Sequence, residues 1–237
     1  IRIKVLGADH ARVGATLNNI GYCYGRMGDF DKELSYYYQA LDIRKKALGE
    51  EHPVVGRTYN NIAVCLEGME RFEEARTFCL KGLAIAQNHY GDDHPRVAIS
   101  YNTLGAIEGE LGDWDKEIDY LNHSLTILEK YYGEISESAA LGYNNLGSSY
   151  HKLGDYAKAE QFYQQSLEIR KKIYGENHRR ISRVYGNLAI LAADQDDIKK
   201  AVFWNKKAID IYKKLIWKFP QKKTYFVEII DELKKES

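Results

Sequence analysis

The stretch YNNIAV at residues 59–64 places two asparagines before an aliphatic residue and a small one. Near copies occur at residues 17–22 (LNNIGY), 101–106 (YNTLGA), 143–148 (YNNLGS) and 185–190 (YGNLAI). The second asparagine returns in a 42-residue register as Asn19, Asn61, Asn145 and Asn187, with Thr103 in the third place. Self-similarity at this period is typical of a solenoid, in which each unit buries its apolar face against its neighbours.

Each unit contains two helical patterns separated by a short turn. In the fourth unit, ESAALGYNNLGSSYHKL and YAKAEQFYQQSLEIRKKIYG have apolar residues at helical spacing on either side of a GD dipeptide. Gly154 suits the left-handed conformation that ends a helix, and Asp155 favours the start of the next one. The small residue after the aliphatic one leaves room for close helix approach. We therefore predict an all-α fold of about five helical hairpins.

Composition narrows the function classes. Among 237 residues, 34 basic and 34 acidic side chains give a net charge of zero, so no global field attracts nucleic acid or an anionic membrane. No apolar run approaches the roughly 20 residues that span a bilayer, and we predict no membrane insertion. Cys23, Cys65 and Cys79 include no C-x-x-C pair, which indicates core residues in a reducing, cytoplasmic compartment.

The sequence contains no catalytic, cofactor-binding or metal-binding motif that we recognise. A P-loop, a G-x-G-x-x-G, an H-E-x-x-H and a G-x-S-x-G are all missing, so we predict a protein that is not an enzyme and needs no cofactor or metal. The recurring histidines are predicted to form hydrogen bonds in loops: His10, His52, His94 and His178. The IRKK runs at residues 43–46 and 169–172 are predicted to be solvated helix ends.

The repeat resembles the tetratricopeptide repeat in the 42-residue form found in kinesin light chains. The resemblance rests on the N-L-G/A-x-x-Y helix, the GD turn and a second helix with EIRKK followed by Gly-x-x-His, over residues 1 to about 216. It implies a right-handed superhelix, with an earlier repeat ending at residues 1–12. After Tyr212 the register fails, and because a solenoid needs a terminal cap with a polar outer face, we predict a C-terminal capping helix at residues 217–237, with the start of a linker as the alternative. The five repeats are then residues 13–54, 55–96, 97–138, 139–180 and 181–216.

In this family the first helices line a concave groove that binds peptides. The family pattern assigns the following residues to that groove here: Asn18, Asn19, Tyr22, Arg26, Arg57, Asn60, Asn61, Val64, Asn102, Asn144, Asn145, Ser148, Lys152, Arg183 and Asn187. An asparagine carboxamide offers two donors and one acceptor, which matches the backbone of an extended peptide. Alternatively, the asparagines bridge adjacent repeats, or one of each pair points inward and the other into the groove.

The leading hypothesis is a non-enzymatic scaffold that holds an extended peptide or a partner helix in the groove. Kinesin light chains bind short motifs with an aromatic residue among acidic ones, and the resemblance implies that Arg57 and Arg183 would serve such a ligand. A second hypothesis is a regulatory or sensor module of a larger, for example bacterial, enzyme or signalling protein. A third is a self-associating module that uses exposed aromatic residues near the C-terminal end: Trp204, Trp217 and Phe219.

Overall fold

The computed structural model describes residue 7, residues 10–218, residue 224 and residues 227–231. Within that part of the chain the fold is all-helical, as predicted, and contains no strand. The long helices are α1 (Ala11–Arg26), α2 (Phe30–Leu48), α3 (Pro53–Gly68), α4 (Phe72–Tyr90), α5 (Pro95–Glu110), α6 (Trp114–Tyr132), α7 (Glu137–Lys152), α8 (Tyr156–Tyr174), α9 (Arg179–Ala193) and α10 (Ile198–Lys218). Residues 227–231 are also helical.

The recurring histidines cap the first helices of the hairpins. The Nδ1 atom of His52 accepts a hydrogen bond from the backbone N–H of Val54 at 3.2 Å, and His10, His94 and His178 make the equivalent bond. In the fourth hairpin Ser136 takes this position and accepts from the N–H of Ala139 at 3.1 Å. The prediction that the histidines form loop hydrogen bonds is confirmed, because they satisfy N–H groups that a helix start leaves unpaired.

The turn inside each hairpin requires a residue in the left-handed region. Gly28, Gly112 and Gly154 have φ values of +78°, +84° and +78°. Glu70 and Asp196 occupy the same place in the second and fifth hairpins, with φ values of +59° and +57°. The left-handed conformation is therefore kept even in the two turns that lack glycine, the residue that adopts it without steric strain.

The chain divides into two compact units, residues 1–127 and residues 128–237. In unit 1, α1 pairs with α2 and α3 with α4, while α5 packs on α4. In unit 2, α7 pairs with α8 and α9 with α10, while α9 also packs on α8. The aliphatic residue of the repeated motif is buried in four of the five repeats, as Ile62, Leu104, Leu146 and Leu188, whereas Ile20 is half-buried.

The first helices begin two residues before the predicted repeat boundaries, at Ala11, Pro53, Pro95, Glu137 and Arg179. Most of the predicted end of an earlier repeat, residues 1–6, 8 and 9, lies outside the described residues. Most of the predicted capping helix also lies outside the described residues, namely residues 219–223, 225–226 and 232–237. Residues 217 and 218 belong to α10. Ile230, which lies 42 residues after Leu188, is likewise buried.

Several side-chain predictions were wrong. The IRKK runs are not fully solvated, because Arg44 and Arg170 are only 2% and 4% exposed and reach into the contacts between hairpins. Cys65 and Cys79 are core residues as predicted, but Cys23 is exposed. The Trp204 ring is half-buried and stacks on Tyr185, with ring centroids 5.4 Å apart, because α10 folds back on α9.

Candidate functional site

The first helices carry large apolar side chains that remain about half exposed on one face. They occupy two positions of the repeat that are seven residues apart in sequence and therefore lie on one face of the helix. They are Tyr22 (55% exposed), Val64 (52%) and Ile99 (48%) in unit 1, and Leu141 (47%) and Ile190 (48%) in unit 2. Arg57 and Arg183 are exposed at the first of these positions. Each unit thus presents apolar side chains interspersed with arginine.

The paired asparagines divide into an inward and a bridging residue. In unit 1, Asn61 donates from Nδ2 to Oδ1 of Asn18 at 3.0 Å. In unit 2, Asn187 makes the same bond to Asn144 at 2.9 Å. Asn18 and Asn144 are buried, whereas Asn61 and Asn187 are half-buried at the edge of the exposed face. The bridge between adjacent repeats, one of the alternatives raised by the sequence, is therefore present in both units.

A buried arginine supports the asparagine bridge in unit 1. Arg44 comes from α2 and donates through Nη1 to Oδ1 of Asn18 at 3.0 Å and to Oγ1 of Thr58 at 2.6 Å. Burial and the nearby Arg57 guanidinium lower the pKa of Arg44 to about 10. Because no carboxylate pairs with Arg44 within the described ranges, positive charge lies directly beneath this part of the exposed face.

A shallow pocket lies on the α3 and α5 side of unit 1. Its volume is about 100 Å³, and Arg57, Asn60, Asn61, Arg96 and Ile99 are among the residues that line it. Asn60 donates to Oγ of Ser100 at 2.7 Å, which ties α3 to α5. The pocket therefore combines amide, guanidinium and apolar groups at one place.

The opposite end of the same helices is acidic. An open depression lined by Phe30, Val64 and Phe72 also contains three carboxylates, Glu67, Glu70 and Glu110. At the end of α1, by contrast, the exposed Arg26 forms a hydrogen bond with Tyr22 that raises the pKa of this arginine. In α3 and α5, charge is therefore separated along the helix, with Arg57 and Arg96 in one pocket and glutamates in the other, whereas α1 ends in arginine.

Unit 2 has a larger and more basic pocket, with a volume of about 610 Å³. Its polar walls are Arg170, Arg179, Arg180 and Arg183, opposed by Glu137. The Glu137 carboxylate contacts Arg180 at 2.8 Å and Arg170 at 3.6 Å. Leu141, Asn187, Ile190, Tyr212 and Ile229 complete much of the lining.

The remaining predicted site residues have mixed environments. Asn19 is fully at the surface, as is Lys152, while Asn102, Asn145 and Ser148 are half-buried. Asn102, Asn145 and Lys152 each have an interaction partner. Of the aromatic residues proposed for self-association, Trp217 is 89% exposed and Phe219 lies outside the described residues. The Trp204 ring is largely occupied by its stacking on α9.

Sequence reasoning missed the arginines behind the exposed face. Arg44 and Arg170 stand 126 residues apart, which is three repeats, and that shared position was the signal for a common role. Arg179 and Arg180 were also missed. The fifth repeat reads HRRISR where the second reads HPVVGR, so two arginines replace a proline and a valine.

In the described part of the chain, no helix is long and apolar enough to cross a bilayer. The same residues contain no group of three or more histidine, cysteine or acidic side chains placed to hold a metal ion.

Comparisons with known proteins agree with this architecture. A family model described as tetratricopeptide repeat matches residues 1–46, 12–78, 54–130 and 138–214. Among solved structures, BtubC (BKLC) from P. vanneervenii is 25% identical with a TM-score of 0.74, over 86% of this chain and 82% of that chain. A comparison with curated proteins found no match.

Two further structures share the fold at lower identity. A putative kinesin light chain with nearly identical repeats from P. anserina is 18% identical with a TM-score of 0.73, over 86% of this chain and 97% of that chain. A Rap protein complexed with competence and sporulation factor is 19% identical with a TM-score of 0.67, over 95% of this chain and 65% of that chain.

Proposed function

Because the chain belongs to the tetratricopeptide-repeat family, we propose that it is a non-enzymatic scaffold that binds an extended peptide, or one helix of a partner protein. The ligand lies along the exposed face of the first helices. One observation carries the proposal: large apolar side chains recur on that face, including Tyr22, Val64 and Ile190, each about half exposed. Their repeated exposure is typical of a binding surface, since burial of such side chains is favourable.

Polar groups beside these apolar residues fit the backbone of a peptide. Asn61 and Asn187 each use Nδ2 in the bridge to the preceding repeat, which leaves the carbonyl oxygen of each carboxamide available to accept a hydrogen bond. A peptide N–H supplies the matching donor whatever its side chain is. Asn18 and Asn144 are buried, so we assign them the role of holding their bridging partners in place.

The test measures binding to arrays of degenerate peptides by the whole chain and by a variant that carries a charge on the apolar face. Val64→Asp replaces an exposed apolar contact by a carboxylate near Glu67, and we expect at least about a tenfold loss of affinity for the peptides that bind. Leu80→Asp is the matched control, because Leu80 is 44% exposed on the second helix α4, away from the proposed surface.

Circular dichroism should show the same helix content for both variants, since neither side chain is buried. Equal peptide binding by the Val64→Asp variant and the unmodified chain would overturn the proposed surface. Equal loss in both variants would mean that net charge, and not the first-helix face, governs binding.

A further inference from the structure

The basic pocket of unit 2 carries more positive charge than its own carboxylate balances. Four guanidinium groups, those of Arg170, Arg179, Arg180 and Arg183, face one carboxylate, that of Glu137, which leaves an excess of three positive charges. Glu137 already contacts Arg180 and Arg170. The Arg179 carbonyl accepts a hydrogen bond from Oγ of Ser182 at 2.7 Å. The guanidinium groups of Arg179 and Arg183, however, form no ion pair or hydrogen bond with any residue that the structure describes, so they remain available to a ligand.

Repulsion among the arginines and the backbone geometry both favour a bound anion. Arg170 is only 4% exposed, and burial lowers its pKa; Glu137 raises that pKa, while Arg180 and Arg183 lower it further. Charged groups that disfavour one another's ionisation are stabilised by a bound anion. The pocket also lies at the start of α9, which begins at Arg179, and a helix N-terminus favours negative charge.

Part of the pocket lining is apolar. Leu141 and Ile190 contribute exposed side chains from α7 and α9, and Ile229 approaches from the helical segment at residues 227–231. A volume of about 610 Å³ accommodates more than a bare ion. The fitting ligand therefore has a strongly anionic group attached to a carbon chain.

We propose that this pocket binds a phosphorylated side chain of a peptide ligand, an inference that rests on the proposed function. A phosphate monoester carries a charge of about −1.5 to −2 at neutral pH and offers three acceptor oxygens. Arginine forks pair with such a group through two parallel hydrogen bonds, which strengthens both affinity and geometric selection. A single carboxylate would leave more of the excess charge unbalanced and would offer fewer acceptors.

The corresponding place in unit 1 lacks the same charge. Three repeats (126 residues) earlier, Arg44 and Arg57 occupy the positions of Arg170 and Arg183. Pro53 and Val54, however, occupy the positions of Arg179 and Arg180. Glu137 is matched by Ala11. Selection for phosphate is therefore expected from unit 2 alone.

The experiment measures fluorescence anisotropy with three pools of short degenerate peptides, which differ only in a central phosphoserine, glutamate or serine. The proteins are the whole chain, the Arg179→Glu/Arg183→Glu variant and a Lys199→Glu/Lys206→Glu control with the same change in net charge. Arg179 and Arg183 are exposed and form no ion pair within the described ranges, so their replacement should not unfold the chain. We expect the phosphoserine pool to bind at least about tenfold more tightly than the other two pools, except in the arginine variant.

Each other outcome has a defined meaning. Equal binding of the phosphoserine and glutamate pools, or a phosphoserine preference that survives in the arginine variant, would overturn the proposal. Orthophosphate is also tested for its effect on the melting temperature of the whole chain. If it raises that temperature while the three peptide pools bind equally well, free phosphate is the ligand and the proposal of a phosphorylated peptide is overturned. The serine pool is also measured with the Val64→Asp variant. Unchanged binding of that pool would contradict the proposed function, and this result is independent of the comparison between the phosphoserine and glutamate pools.

Discussion

At the residue scale, Asn18 is a junction between two repeats. Its Oδ1 accepts hydrogen bonds from Arg44 at 3.0 Å and from Asn61 at 3.0 Å, and both partners come from other helices. Replacement by alanine removes both bonds and leaves the buried guanidinium with Thr58 as its remaining acceptor. We predict that Asn18→Ala lowers the free energy of unfolding by about 1–3 kcal/mol, measured by urea denaturation.

The next residue supplies the control for that prediction. Asn19 is exposed on the same helix, and its replacement by alanine should change the free energy of unfolding by less than about 0.5 kcal/mol. Similar losses in the two variants would show that helix propensity, and not the junction, decides the effect.

The contrast between Asn18 and Asn19 also shows how far the sequence predicts the role of a single residue. The repeated asparagine pair indicates two recurring geometric roles within the array, but Asn18 and Asn19 are both polar and adjacent, so their directions depend on the neighbouring helix. The sequence predicts a solvated Arg44 because a charged helix end usually is solvated. Its burial depends on partners 26 and 14 residues away in sequence, which no local pattern contains.

At the element scale, the two helices of a hairpin match small residues to large ones. Gly21 and Gly147 lie over the rings of Tyr37 and Tyr163, and a Cβ atom on Gly147 would come within 2.7 Å of that ring. In the second and fifth hairpins, Ala63 and Ala189 occupy the glycine position, and the facing residues are the smaller Cys79 and Asn205. The sequence predicted close approach here, and the structure identifies which side chain requires it.

Two glycine substitutions test this explanation. Gly186 lies inside α9, where an added Cβ atom would meet nothing within 4 Å, so Gly186→Ala should stabilise the chain by about 0.5–1 kcal/mol through helix propensity. Gly147→Ala offers the same gain but forces a methyl group against Tyr163, and overpacking of this kind typically costs about 1–3 kcal/mol. Chemical denaturation of both variants decides the matter, and a stabilised Gly147→Ala variant would refute the packing account.

The elements themselves were predictable because their signals are local. Helical spacing, the glycine turn and the histidine cap all act within a few residues, and Ser136 performs the histidine's role where the sequence changes. The basic pocket was not predicted, because it requires Arg170 on α8 to meet Arg179 and Arg183 on α9. Residues from separate helices form one site only after the hairpins stack.

At the scale of the whole molecule, each of the two units has a core of its own. Ile62 is completely buried in unit 1 and Leu146 in unit 2. In repeat proteins, stability is approximately a sum of terms for each repeat and for its contacts with immediate neighbours. Loss of packing in one unit should therefore remain largely local to it.

Hydrogen exchange of two reciprocal variants tests that expectation. Leu146→Ala removes buried packing worth about 2–5 kcal/mol, so amide protection should fall in α7–α9 and change little in α1–α3. Ile62→Ala should give the reverse pattern, because its contacts lie among the helices of unit 1. Protection that falls uniformly from α1 to α10 in both variants would instead show that the chain unfolds as a single cooperative body. A local response would allow the proposed phosphate pocket of unit 2 to be altered while the proposed peptide-binding face of unit 1 remains folded.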